Sequence, residues 1–243
     1  MRIPVIHGII ARRILANYQV APDVLAHIVP PPFRPKIING VGIAGICLIR
    51  LEQIKPQFIA GSFGITSENA AHRIAVQWND NDRVREGVYI PRRDTSSRFN
   101  MLVGGRLFPG VYNHARFDVN EHDGAFQIAF ESDGGQTHIT VVGRIASSLP
   151  ATSVFQSLEE ASRFFEAGAL GYSATRQAGI YDGLELHSLK WEVEPLAVER
   201  IQSSFFDNRS VFPEGSIKFD CALIMRDIPH AWYGRESLCC NEA

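Results

Sequence analysis

The stretch Gly104-Gly-Arg-Leu-Phe-Pro-Gly-Val-Tyr-Asn-His-Ala-Arg-Phe117 opens the run of short strands and turns that decides the fold. Gly104, Gly105, Pro109 and Gly110 permit a tight bend and close backbone approach. Tyr112, Asn113 and His114 follow directly, and the apolar flanks Phe108, Val111, Phe117 and Val119 read as strand. A glycine-rich bend that delivers polar side chains from a strand suits a pocket wall. The plain alternative is a β-turn between two strands.

Working downstream, strand is predicted over 106–119, a turn at Glu121-His-Asp-Gly124, strand over 125–131, a turn at Asp133-Gly-Gly135 and strand over 137–145. Short strands joined by regular Asp/Gly turns make an antiparallel sheet that curls on itself. Upstream, residues 8–20 read as an opening strand. A short helix over 22–29 starts at Pro22 and stops at Pro30-Pro-Pro32. Residues 36–52 read as a glycine-broken apolar strand, 56–71 as irregular, 72–78 and 84–91 as strands, and Arg92-Arg93-Asp94 as a solvated loop, with a carboxylate or phosphate clamp as its minor reading.

After the meander, Ser157-Leu-Glu-Glu160 is a capping box, and Leu158, Ala161, Phe164 and Phe165 recur at helical spacing. Residues 183–198 return to strand, 195–206 read as strand and then a helical turn, and 216–225 form the final strand. A loose tail is expected from about residue 233. No linker, repeat or low-complexity tract interrupts the chain, so residues 1–243 read as a single α+β domain dominated by antiparallel β.

Composition bounds the function. The 243 residues are 45% hydrophobic and 21% charged, enough for a sizeable core. A formal net charge of −2 argues against nucleic acid as an obligatory partner. The only lysines are Lys36, Lys55, Lys190 and Lys218. Cys47 and Cys221 sit in apolar runs and Cys239-Cys240 in a polar tail, a pattern that fits a reducing cytoplasm. No signal peptide is read, and no apolar run reaches the roughly 18 residues of a membrane span. His72, His138 and His187 lack the tight spacing of a metal site, and no phosphate loop, nucleophile elbow or dinucleotide fingerprint occurs, so no metal or cofactor is expected. Arg12 and Arg13 point to opposite faces of the opening strand, so one faces inward, where an arginine needs a carboxylate or a ligand.

Four stretches carry a family resemblance: Tyr18 with Pro22-Asp-Val-Leu25, Val29-Pro-Pro-Pro-Phe33, Gly105-Arg106 with Gly110-Val-Tyr-Asn-His114, and Trp191-Glu-Val-Glu-Pro-Leu-Ala-Val-Glu-Arg200. This order resembles the acetoacetate decarboxylase-like superfamily, nearest to its uncharacterised bacterial members. The resemblance implies a curved sheet or cone-like β-barrel with two or three peripheral helices, oligomeric assembly and a pocket for a small molecule. In the decarboxylases the first lysine of a Lys-Lys pair forms a Schiff base with the ketone. The matching positions here are Asn113 and His114, and neither forms an imine. A displaced lysine, most plausibly Lys190, is the alternative.

By the same resemblance Glu68 stands for a loop glutamate and Arg12 or Arg13 for a strand arginine of the decarboxylase pocket. If Glu68, His114 and one of these arginines converge, His114 serves as general acid/base, Glu68 orients it and the arginine holds a carboxylate. The same groups also suit a buried charge network without a ligand. Asn113 joins the candidate catalytic set, and Tyr112 and Arg106 join the arginines as candidate substrate contacts, although Tyr112 also reads as a packed aromatic. The expected function is a small-molecule pocket protein, as an enzyme a lyase, hydratase or isomerase acting on a small oxo acid without a Schiff base. The alternatives are a non-catalytic binding protein for an apolar ligand and a structural oligomeric module.

Overall fold

In the computed structural model, residues 4–59, 61, 64–103 and 110–239 are described. β1 (Ile6–Val20) pairs antiparallel on one side with β4 (Val41–Pro56) and on the other with β13 (Ile217–Cys239). Between β1 and β4 lie α1 (Pro22–Ile28), with Pro22 in its first turn as predicted, and the two-residue strands β2 (Arg34–Pro35) and β3 (Ile37–Ile38). β4 pairs with β5 (Ile65–Asp80), and β5 with β6 (Arg83–Thr95).

The sheet then forks at β6. Its outer edge pairs in parallel with β7 (Tyr112–His122) through Arg93, Asp94 and Thr95, and with β10 (Leu170–Ala174) through Val88, Tyr89 and Ile90. One branch continues through β8 (Ala125–Ser132), β9 (His138–Ile145) and β12 (Glu194–Ser203) back to β13. The other runs from β10 to β11 (Ile180–Ser188) and also ends on β13. Two closed rings of paired strands therefore share β13, β1, β4, β5 and β6. This is the curved, ring-like, mainly antiparallel sheet expected. The helices α1, α2 (Arg98–Val103) and α3 (Leu158–Ala167) are short.

Alternation along the shared strands splits the core in two. Ile14, Ala16, Ile46, Leu48 and Ile224 face the larger ring with Phe126, Ile128 and Val141. Leu15, Cys47, Leu223 and Cys221 face the other way, where Ala161 and Phe165 of α3 pack on them. Ser157 caps α3 by accepting from the Glu160 backbone N–H at 3.1 Å, and the Glu160 carboxylate accepts from the Gln156 N–H at 2.6 Å.

Several expectations are corrected. The segment 56–71 is not irregular throughout, because β5 begins at Ile65, which pairs with Ile54. Arg92-Arg93-Asp94 is strand rather than solvated loop: Asp94 is 0% exposed and Arg92 donates to it at 2.8 Å. The chain past residue 233 is not loose, since β13 runs to Cys239 against β11, with Ile180 opposite Cys239. Of the strand predicted over 106–119, residues 106–109 lie outside the described residues, and strand is present from Tyr112 onward, after α2. The predicted strand over 183–198 is two strands, β11 and β12, and β10 was not foreseen.

Candidate functional site

A cavity of about 120 Å³ lies within the smaller ring, and all seven of that ring's strands contribute to its wall. Three successive rungs of the sheet build its polar part. The first joins Met225, Arg13, Ile49, Asn69 and Thr95. The next joins Leu15, Cys47, Ala71, Arg93 and Tyr112. The third joins Asn17, Gly45 and Arg73. Because side chains alternate, Arg13, Arg73, Arg93, Asn69 and Tyr112 share one face. Asn100 of α2 completes the polar lining, and Ile49, Leu51, Ile54, Leu184, Leu186 and Trp232 supply apolar wall.

Each arginine is held by an aromatic ring rather than a carboxylate. The Arg13 guanidinium lies 5.7 Å from the Trp191 ring, Arg73 lies 4.9 Å from Phe165 and Arg93 lies 5.6 Å from Tyr112. Arg73 donates to Asn17 Oδ1, and Arg93 Nε donates to Ser173 Oγ at 2.8 Å. Gly45 makes the Arg73–Asn17 contact possible, since a Cβ there would strike the Ala16 carbonyl and crowd Asn17 Oδ1. Arg13 Nε and Nη1 and Arg73 Nε are buried without a hydrogen-bond partner among the described residues. Burial, with Arg13 nearby, pushes Arg73 down to about 10, so it stays charged at neutral pH. No aspartate or glutamate lines the cavity among the described residues.

The opposite face of the same strands is chemically different. Arg12, 2% exposed, donates to Glu68 and, at 2.8 Å, to Glu121. Arg50 Nε donates to the other Glu68 oxygen at 2.6 Å. His72 is fully buried there against Phe205 and Phe206, and burial lowers it to about 3, with Arg92 adding to the effect. Burial likewise pushes the Asp94 carboxyl up, opposed by the bond from Arg92.

The sequence-derived candidates are thus divided. Arg13 and Tyr112 line the cavity. Glu68 and Arg12 meet each other across the face that points away from it, so they do not converge with Arg13. His114 bonds Asp133 through Nδ1 at 2.9 Å instead of joining Glu68. Asn113 donates to the Arg93 carbonyl at 3.0 Å, on the rung of Asp94. Arg106 lies outside the described residues. Lys190 is bonded to exposed Glu192, and no lysine lines the cavity among the described residues. His72, His138 and His187 sit on β5, β9 and β11, and no three metal-binding side chains gather among the described residues. Arg73, Asn69 and Asn100 were not singled out as site residues from sequence, and Arg93 entered only through the minor clamp reading of its loop. The signal for three of them was parity: Asn69, Ala71 and Arg73 alternate with Ala70 and His72, and Arg93 follows Arg92 as Arg13 follows Arg12.

A family model described as an uncharacterized conserved protein, DUF2071, matches residues 10–217. The chain belongs to this family. A comparison with curated proteins finds no match. Among solved structures, the DUF2071 chain is similar to acetoacetate decarboxylase from Legionella pneumophila, with a TM-score of 0.60 at 13% identity over 96% of this chain and 87% of that one. It is similar to an acetoacetate decarboxylase-like enzyme from Sphingomonas wittichii RW1, with a TM-score of 0.58 at 9% identity over 97% and 92%. The enduracididine biosynthesis enzyme MppR complexed with pyruvate gives a TM-score of 0.58 at 10% identity over 98% and 91%. The fold implied by the sequence motifs is therefore the fold of this DUF2071 chain. No described helix is long and apolar enough to cross a membrane.

Proposed function

We propose that this protein binds a small oxo acid or related carboxylated compound in the arginine-lined cavity and processes it as a lyase, hydratase or isomerase without a Schiff base. The observation that carries the reading is the set of three guanidiniums facing one cavity with no carboxylate among its described lining residues. A buried cation without a carboxylate, as at Arg73, is costly, and with half-buried Arg13 and Arg93 beside it the wall is matched to an anion. Arginine offers a flat fork that takes a carboxylate with two parallel hydrogen bonds. Reactions of oxo acids that pass through an enolate place negative charge on the former carbonyl oxygen, and a further arginine in the same wall stabilises it. The fold shared with enzymes, one of them complexed with pyruvate, supports the substrate class. Glu68, His114 and Asn113 are left outside this reading, and Arg13 and Tyr112 remain in it.

A second reading, binding without turnover, is favoured by the lining itself, which has no aspartate, glutamate or histidine to move protons among its described residues. Thermal unfolding with pyruvate, 2-oxobutyrate and neutral ketones of equal size tests the binding claim. Oxo acids are expected to raise the melting temperature by mass action and neutral ketones are not. Stabilisation by the ketones alone would sink the proposal. Borohydride added with pyruvate should leave the protein mass unchanged; a mass gain at a lysine would restore Schiff-base chemistry.

A further inference from the structure

The two arginine doublets are built alike. In β1, Arg12 takes two carboxylates on one face and Arg13 takes none on the other among the described residues. In β6, Arg92 takes Asp94 and Arg93 takes none among the described residues. Arg73 adds a third cation without a carboxylate, and it is only 7% exposed. The chain thus pairs the cations of one face with carboxylates and, among the described residues, leaves three on the cavity face without one, Arg73 buried and Arg13 and Arg93 half-buried. A single carboxylate would cancel one of these charges.

The placement of the three separates them into two groups. Arg13 and Arg73 come from the rungs on either side of Cys47 and Ala71, whose small side chains leave room for both guanidiniums to reach over them. Arg93 lies on the Cys47–Ala71 rung itself but at the far strand, against Ser173 and Tyr112. It also lines a second cavity of about 250 Å³ at the fork between β7 and β10. Arg93 therefore stands at the junction of the two spaces, one strand beyond the pair.

We propose that the ligand is a short dicarboxylic acid, with one carboxylate held by Arg13 and Arg73 and the other by Arg93. This inference rests on the reading that the cavity takes a carboxylated compound, and it narrows the class from oxo monoacids to diacids. The size agrees: an engineered 150 Å³ cavity in another protein holds benzene, so about 120 Å³ suits a compact ligand whose second carboxylate leaves toward the neighbouring space. The geometry also predicts a length preference, since the two carboxylates must span from the inner pair to Arg93.

Calorimetric titration with malonate, succinate and 2-oxoglutarate, set against acetate, butyrate and pyruvate, tests it. The best diacid is expected to bind at least tenfold more tightly than the monoacid of equal length. Arg93→Gln should remove that advantage while monoacid binding persists. Arg93→Lys, which keeps the charge without the fork, should retain part of it. Arg73→Gln should weaken both classes. Equal affinity for diacids and monoacids would overturn the diacid assignment and leave the carboxylate reading standing. Binding of neither class would overturn both.

Discussion

Neighbouring residues in this chain lead separate chemical lives. Arg12 and Arg13 are adjacent, yet one closes an ion-pair network and the other faces the cavity, because strand side chains alternate. The sequence showed that the doublet must split but left open which arginine went where, since a shift of one residue in register exchanges the faces. Glu68 follows Arg12, and removing its charge leaves Arg12 and Arg50 partly unpaired. Glu68→Gln is expected to lower stability by about 1–3 kcal/mol in denaturant unfolding while ligand-induced stabilisation is unchanged. A loss of ligand stabilisation would return Glu68 to the site. The buried histidines make a pH prediction. Below about pH 6.5 the unfolded chain takes protons that folded His72 refuses until about pH 3 and folded His230 until about pH 4. Stability is thus full above pH 6.5 and falls as acid is added, by about 2 kcal/mol for each histidine at pH 5. Urea midpoints across pH 7 to 5 read this directly, and His72→Phe should remove about half of the slope.

Elements with local signatures were legible from sequence. Pro22 fixed the start of α1, and Ser157 with Glu160 fixed the start of α3. Ser157→Ala is expected to cost about 1 kcal/mol in thermal unfolding, since the Glu160 N–H loses its acceptor. The strands around Asp123-Gly124 and Gly135 were also clear, because left-handed backbone at those positions turns the chain. The elements that escaped notice depend on distant partners. β10 is five residues long and exists by pairing with β6 and β11. The last part of β13 reads as polar tail until β11 lies beside it. The cavity arginines were hidden for the same reason: only the assembled rungs show that Arg13, Arg73 and Arg93 face one space.

At the scale of the molecule, five shared strands serve two rings, so the larger core and the cavity rest on the same backbone. The central amides of β1, β4 and β13 are bonded on both sides and covered on both faces. Hydrogen exchange should be slowest there and faster in β8 and β9; uniform protection would mean that the rings do not share a common frame. Truncation after Ser216 deletes β13 and opens both rings at once. Such a chain is expected to give no cooperative melting transition, and a cooperative one would show that either ring stands without its closing strand.

β1 and β13, which lie side by side, also leave the ribosome far apart in time. At about 5–20 residues per second, the roughly 200 residues between them take on the order of ten to forty seconds to synthesise. For that interval β1 has no neighbour on its β13 side. Closure of both rings thus waits for the last strand and is a single late event rather than a gradual one.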